Sequence, residues 1–200
     1  MKTKFLILML IVLFASGCAS SKMIDSTTQE LVTPSADKAQ IIFIRSSFVG
    51  SAIQSSIFDV TSGDAQFIGI LSNAKKLFYL VDPGEHTFMV TSEAADFMKA
   101  SMVGGKTYYA MITPRMGAWK ARFSMLPVRN GTGGEFQYDS ERFQGFLKGS
   151  QFSENTPEST AWYEENSANI ATRQAEYWAV WQQKSEADQK ERTLNPDDGV

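Results

Sequence analysis

The sequence predicts a mainly β chain: a small antiparallel β-sandwich of immunoglobulin-like size over residues 39–126, carrying a long C-terminal α-helix. Three observations predict it. Short runs rich in β-branched and aromatic residues succeed one another from Ala39 to Met125, and glycine-bearing turns separate them. No alternation of strands with helices interrupts these runs, as a doubly wound α/β fold would require. From Thr156 the texture becomes helical, with no Gly or Pro between Pro157 and Pro196.

Met1-Lys2-Thr3-Lys4 is a short basic start, Phe5 to Phe14 an apolar run, and Ala15-Ser16-Gly17-Cys18 a small-residue close, which is the layout of an export signal. A bilayer span takes about 20 apolar residues, so residues 1–17 read as a signal peptide removed after export. Small residues directly before Cys18 resemble the lipobox of bacterial lipoproteins, which implies a diacylglycerol on the thiol and an acyl chain on the freed amine. Position 15 is alanine rather than the commoner leucine, and Ala15-x-Gly17 also fits an ordinary signal peptidase. That alternative gives a secreted or periplasmic soluble chain with an unmodified thiol. In lipoproteins of two-membrane cells, a residue other than aspartate after the cysteine, here Ala19, implies transfer to the outer membrane. Residues 18–38 then read as the lipidated N-terminus and a flexible polar tether, spanning about 25 Å root-mean-square.

Ile41-Ile42-Phe43-Ile44 opens the β region, and Ile53 to Val60 with Gln66 to Leu71 forms a hairpin around Thr61-Ser62-Gly63-Asp64. Lys76 to Val81 runs into Asp82-Pro83-Gly84-Glu85, a type II turn signature, and His86 to Thr91 returns as a strand. Phe97 to Val103 and Thr107 to Ile112 flank Gly104-Gly105-Lys106 as a second hairpin signature, although Glu93 to Met102 also has helical propensity. Trp119, Ala121, Phe123 and Met125 alternate with Lys120, Arg122 and Ser124, giving one dry and one wet face.

Residues 127–156 read as a loop and a short helix, Ser140 to Lys148, capped by Asp139 at the front and Gly149 behind. Thr156-Pro157-Glu158 starts the long helix, 157–192, which at 1.5 Å per residue is about 54 Å long and must overhang the body, bend or fray. Trp162, Tyr163, Ile170, Tyr177, Val180 and Trp181 share one stripe of it, interrupted by Asn166, Arg173 and Lys184, so a strict coiled-coil seam is disfavoured. The stripe favours docking on the chain's own body, with a partner-facing or membrane-lying helix as alternatives. Residues 193–200 read as a disordered tail.

The chain offers little chemistry. Without Lys2 and Lys4, 17 basic residues face 22 acidic ones, a net charge of −5 that disfavours nucleic acid as a partner. One cysteine allows no internal disulfide, and one histidine excludes a His-rich metal site. His86 shares a strand face with Phe88 and Val90 and reads as packed. The Gly131 to Gly134 loop lacks the Gly-Lys-Ser/Thr ending that holds phosphates, and Glu164-Glu165 and Asp197-Asp198 are sequence neighbours rather than opposed carboxylates. No catalytic residue, cofactor or metal ligand is therefore expected. Clustered rings remain: Trp162, Tyr177, Trp178 and Trp181 are the candidate ligand or partner contacts, with Trp178 off the main stripe the best candidate for an exposed ring.

Ile41-Ile42-Phe43-Ile44-Arg45, Asp82-Pro83-Gly84-Glu85-His86-Thr87 and Gly105-Lys106-Thr107-Tyr108-Tyr109 resemble, in order, motifs of the bacterial lipoprotein family with domain of unknown function 2846. The resemblance covers about residues 39–126 and implies a β-sandwich attached to an envelope membrane, with no established activity and so no catalytic residues to carry over. The expectation is a non-enzymatic lipoprotein of the outer membrane, anchored by acyl chains on Cys18, acting as an envelope scaffold or protein-binding module. A glycan or small-ligand binding module is the alternative.

Overall fold

A computed structural model describes residues 22–47, 49–115 and 122–200. The signal, Cys18, Trp119 and Ala121 lie outside the described residues. The chain is mainly β, with two mixed sheets and a long C-terminal helix.

The strands are β1 (Ile24–Asp25), β2 (Ala39–Arg45), β3 (Ser55–Asp59), β4 (Gln66–Leu71), β5 (Lys75–Val81), β6 (Gly84–Thr91), β7 (Ala95–Met102), β8 (Thr107–Arg115), β9 (Arg122–Arg129), β10 (Phe136–Gln137), β11 (Gln151–Glu154) and β12 (Thr193–Leu194). The helices are α1 (Glu141–Gly149), α2 (Pro157–Gln182) and α3 (Glu186–Glu191), followed by a 3₁₀ turn at Pro196–Asp198. One sheet runs β1-β11-β5-β2-β8-β9-β10 and the other β12-β7-β6-β3-β4.

The purely antiparallel expectation is corrected. β2 and β8 pair in parallel at the centre of the larger sheet, as do β11 with β5, β10 with β9 and β12 with β7. The cause lies in two turns. β3 and β4 form the predicted hairpin. Asp82 to Glu85 and Gly104 to Lys106 do reverse the chain, with Gly84 at φ +138° and Gly105 at φ +78°. Yet each carries it from one sheet to the other, so β5 pairs with β2 and β6 with β7.

Burial explains the residue pattern. Ile41, Phe43, Tyr108, Ala110 and Met125 of the larger sheet share a core with Ile57, Ile70, Phe88, Val90 and Met98 of the smaller one. On the outer face of the larger sheet, Ile42, Ile44, Tyr109 and Met111 pack against Phe143 and Leu147 of α1. On the outer face of the smaller sheet, Phe58, Met89 and Phe97 pack against Ile170 and Trp181 of α2. β2 and β3 are therefore buried along their whole length, and the centre of β2, Ile41 to Ile44, reads as a continuous apolar run rather than an alternating one. On β9 the expected wet face is only partly wet, since Arg122 is exposed but Ser124 is buried.

Capping sets the helix limits. Ser140, not Asp139, caps α1 by accepting from the Phe143 N–H, and Thr156 with Ser159 makes a capping box before Pro157. The long helix bends rather than overhangs. α2 stops at Gln182, and Ser185 caps α3 by accepting from the Asp188 N–H.

Both expected loose ends are folded instead. Met23 is buried beside Leu77 in the inter-sheet core, β1 pairs with β11, and the Ser26 N–H donates to Phe152 O at 2.8 Å. Gln29 closes this strap by donating to Phe152 O and accepting from the Phe152 N–H. Gly104 lets the strap pass, because a Cβ there would lie 2.0 Å from Ala36 O. At the other end, the tail expected to be disordered adds β12 to β7 and pairs Val200 with Thr107 through two backbone hydrogen bonds. Arg129 donates to Asp198 Oδ2 at 2.7 Å and also to the carbonyls of Lys190, Glu191 and Thr193.

Candidate functional site

The ring residues singled out in the sequence are mostly spent on packing. Trp181 is 2% exposed against Phe97, and Trp178, expected to be the exposed ring, sits edge-on to Phe97 at 5.0 Å. Tyr163 stacks on Phe67 at 5.1 Å and donates its hydroxyl to Ala65 O. Tyr177, partly buried, joins Trp181, Arg115 and Lys184 around a hollow at the β7 edge of α2. Asp96, the one carboxylate of that hollow, is taken up by pairing with Arg192 and, at 3.7 Å, with Arg115. Sequence reasoning over-assigned these three rings because a helical stripe shows which residues face inward but not what meets them.

Trp162 differs. It touches Phe67 at 6.1 Å and also walls a polar cleft of about 210 Å³ between α2 and the ends of β3, β4 and β6. Asn166, Asn169 and Arg173 follow it at helical spacing, so all four side chains line the same cleft, and Gln54, Ser56 and Thr91 face them from the sheet. Asn166 donates to Trp162 O at 2.7 Å, which leaves its carbonyl for a ligand. Gln54 donates to Ser72 Oγ, and Arg173 donates through Nη1 to Ser92 O, which fixes the guanidinium at the cleft. Lys22 lies at the rim, with its carbonyl accepting from Thr156 Oγ1 at 2.6 Å. The lining holds two cations and no carboxylate. Asn166 and Arg173 are two of the three polar interruptions of the apolar stripe; in the sequence they argue only against a coiled-coil seam, although polar residues on an inward stripe are the signal that could have marked a cleft.

His86 belongs to a separate cluster. Thr61 Oγ1 donates to Asp59 Oδ1 and lies 3.4 Å from His86 Nδ1, while Asp59 Oδ2 is 3.8 Å from the same nitrogen. His86 Nε2 faces Asp82 O at 2.8 Å. A nucleophile relay needs hydroxyl and carboxylate on opposite ring nitrogens, and here both meet Nδ1. The Asp59 carboxylate raises the His86 pKa above its ordinary value against the opposing effect of burial. Burial pushes Asp59 up, but its contacts with His86 and Thr61 outweigh this and hold it low. The ring also stacks on Phe88 at 5.8 Å.

Arg45, the end of the first family-like motif, is fully buried. It donates to Leu71 O and Gly50 O and lies 4.4 Å over the Phe123 ring, and burial pushes its pKa down to about 10. It is a clamp on the 46–54 loop rather than a site. Among the described residues, no group of three His, Cys, Asp or Glu side chains is placed to hold a metal, and no helix is long and apolar enough to cross a membrane.

No family model matches the chain, and neither a curated protein nor a solved structure does. The likeness to the lipoprotein family therefore rests on its three motifs alone.

Proposed function

We propose that the chain is a non-enzymatic lipoprotein of the outer membrane, anchored through acyl chains on Cys18, with its two sheets stacked as a β-sandwich. Its body acts as an envelope binding module. The cleft beneath α2 holds one sugar-sized, carboxylate-bearing glycan unit.

A single observation carries the ligand reading: an indole wall, Trp162, stands with Ile70 and Ile170 in a cleft of about 210 Å³ whose remaining lining is amides, hydroxyls and two cations. Ring faces stack on the apolar face of a sugar while amides read its hydroxyls. Lys22 and Arg173 supply the charge for a carboxylate. The volume falls below the about 300–1,000 Å³ usual for drug-sized ligands, so one ring fits rather than an extended chain. The scaffold reading draws less support, because the aromatic stripe that would dock a partner is packed on Phe58, Phe67 and Phe97.

Titration with muropeptides tests the ligand reading through tryptophan fluorescence. Saturable quenching that is lost in Trp162→Phe and weakened in Asn169→Ala is expected; a flat titration overturns it. Mass spectrometry of the mature amino terminus tests the anchor separately, since an unmodified Cys18 removes it.

A further inference from the structure

β11 is only four residues long, because Asn155 and the Thr156-Pro157 helix start take the chain off the larger sheet toward β4, where Asn155 donates to Ile68 O. It therefore pairs with β5 at Lys75 and Lys76 alone. Residues 77–81 remain an edge. On this side of β5, Ala74 O accepts from the Gln151 N–H, and backbone groups alternate along a strand, so the N–H and C=O groups of Phe78 and Leu80 point outward. Among the described residues no backbone group answers them. The edge also lacks the usual guards. Edge strands are commonly blunted by lysine, proline or a bulge, whereas 77–81 contains neither residue and pairs with β2 without a register shift. Phe78 and Leu80, 51% and 49% exposed, floor a groove of about 460 Å³ that Phe152, Val32 and Pro34 also line. Its charges are one-sided: Lys38 is spent on Asp82 at 2.6 Å, while Glu30 and Glu154 are in no ion pair among the described residues.

We infer that this edge of β5 takes up an extended, basic peptide segment of another protein as an added strand. Three features select that occupant. The free N–H and C=O groups match a peptide backbone, as in strand addition, whereas a purely apolar ligand would bury them unpaired. A strand laid there turns every second side chain onto the face of Phe78 and Leu80, so apolar residues at alternate positions enter the groove. Glu30 and Glu154 favour cations beside those apolar residues, and the edge of a second copy brings none, since 77–81 carries no charge. The site lies apart from the cleft beneath α2 and goes beyond the reading above, because it requires neither a glycan there nor acyl chains on Cys18.

The test titrates the chain from residue 18, carrying Cys18→Ser, into a dye-labelled heptapeptide, Lys-Thr-Val-Thr-Val-Thr-Lys, and reads fluorescence anisotropy at low salt. Saturable binding below about 1 mM is expected. N-methylation of the one alternate set of peptide amides that faces β5 should abolish it, and N-methylation of the other set should not. Glu30→Gln with Glu154→Gln should weaken binding about fivefold, the loss of two rim ion pairs. Leu80→Pro removes an outward N–H without touching the β2 ladder and should weaken binding at least about tenfold, with a retained circular dichroism melt showing that it is folded. Should that variant unfold, the two N-methylated peptides decide alone. A flat titration, equal effects of the two N-methyl sets, or binding unaltered by the paired glutamine variant overturns the inference. Self-association of the chain without peptide, lost in Leu80→Pro, would assign the edge to a second copy and overturn it as well.

Discussion

Arg129→Ala tests whether residues 193–200 belong to the fold. The Arg129 and Asp198 side chains are 13% and 7% exposed, so their 2.7 Å pair is nearly dry. Removing the guanidinium leaves a buried carboxylate held only by the Asn195 N–H and side-chain amide, and frees the carbonyls of Lys190, Glu191 and Thr193. Breaking one side of a buried pair costs about 3–5 kcal/mol. For a chain of this size each kcal/mol lowers the melting temperature by about 2–4 °C, so a fall of about 6–20 °C is expected. Asp198→Ala leaves the Arg129 guanidinium hydrogen-bonded to the carbonyls of Lys190, Glu191 and Thr193, so it should cost less, about 2 kcal/mol, with a coupling of about 1–3 kcal/mol in the double-mutant cycle. Urea melts of the chain from residue 18 with Cys18→Ser measure all three variants. Additive losses, or a loss below about 1 kcal/mol for Arg129→Ala, would refute the claim that the tail is clamped.

Three further outcomes are expected. Gly104→Ala should push the strap off Ala36, because its Cβ would lie 2.0 Å from that carbonyl oxygen, and limited proteolysis should then cut within 22–38 faster than in the parent chain. The raised His86 pKa means that its stabilisation is complete below about pH 6.5 and is lost as pH climbs through the higher folded value; urea melts should show declining stability on the alkaline side, flattened in His86→Gln. Asp59, held low, contributes above its ordinary range and loses that contribution only in strong acid. Arg45→Ala should cost about 3–5 kcal/mol by thermal melting, since it opens a cavity over Phe123 and unlatches Gly50, and Arg45→Met, which keeps the packing, should cost clearly less.

What the residues revealed, and what they hid, divides by range. The β3–β4 turn and the Thr156-Pro157 helix start depend on neighbours within a few residues, so local chemistry reads them directly, whereas the α1 cap falls on Ser140, one residue past the expected Asp139. Glycine turns at 84 and 105 announce reversal, but a reversal is equally compatible with pairing in one sheet or crossing to another, and only the burial of both faces of β2 decides it. β11 and β12 are short strands added in parallel to distant neighbours, with no periodicity long enough to see. The tail looks featureless because the group that orders it, Arg129, lies far away in the chain. The candidate cleft was half visible: Trp162, Asn166 and Arg173 sit on one stripe, whereas Gln54 and Thr91 reach it only through the sheet.

The docked helix also constrains what the protein does. Undocking α2 would expose Ile170 and Trp181 fully and Trp162, Tyr163, Tyr177 and Trp178 in part, together with Phe58 and Phe97 beneath them. At about 1.5–3 kcal/mol for each large side chain fully buried, and half of that for partial burial, burial on the helix side alone contributes about 6–12 kcal/mol. A partner that needed the stripe would have to undo this burial first, and its affinity would fall by the fraction of molecules in which the helix is undocked. Recognition without undocking is therefore confined to surfaces that the docked helix leaves open. On the smaller sheet's side these include the polar outer face of α2 and the cleft where Trp162 still shows its ring. The cleft combines concavity, an aromatic wall and fixed polar groups with a lining of two cations and no carboxylate, whereas the hollow beside Tyr177 and Trp181 carries Asp96. The packing that stabilises the helix is thus the same packing that orients Trp162, Asn169 and Arg173 toward a small ligand.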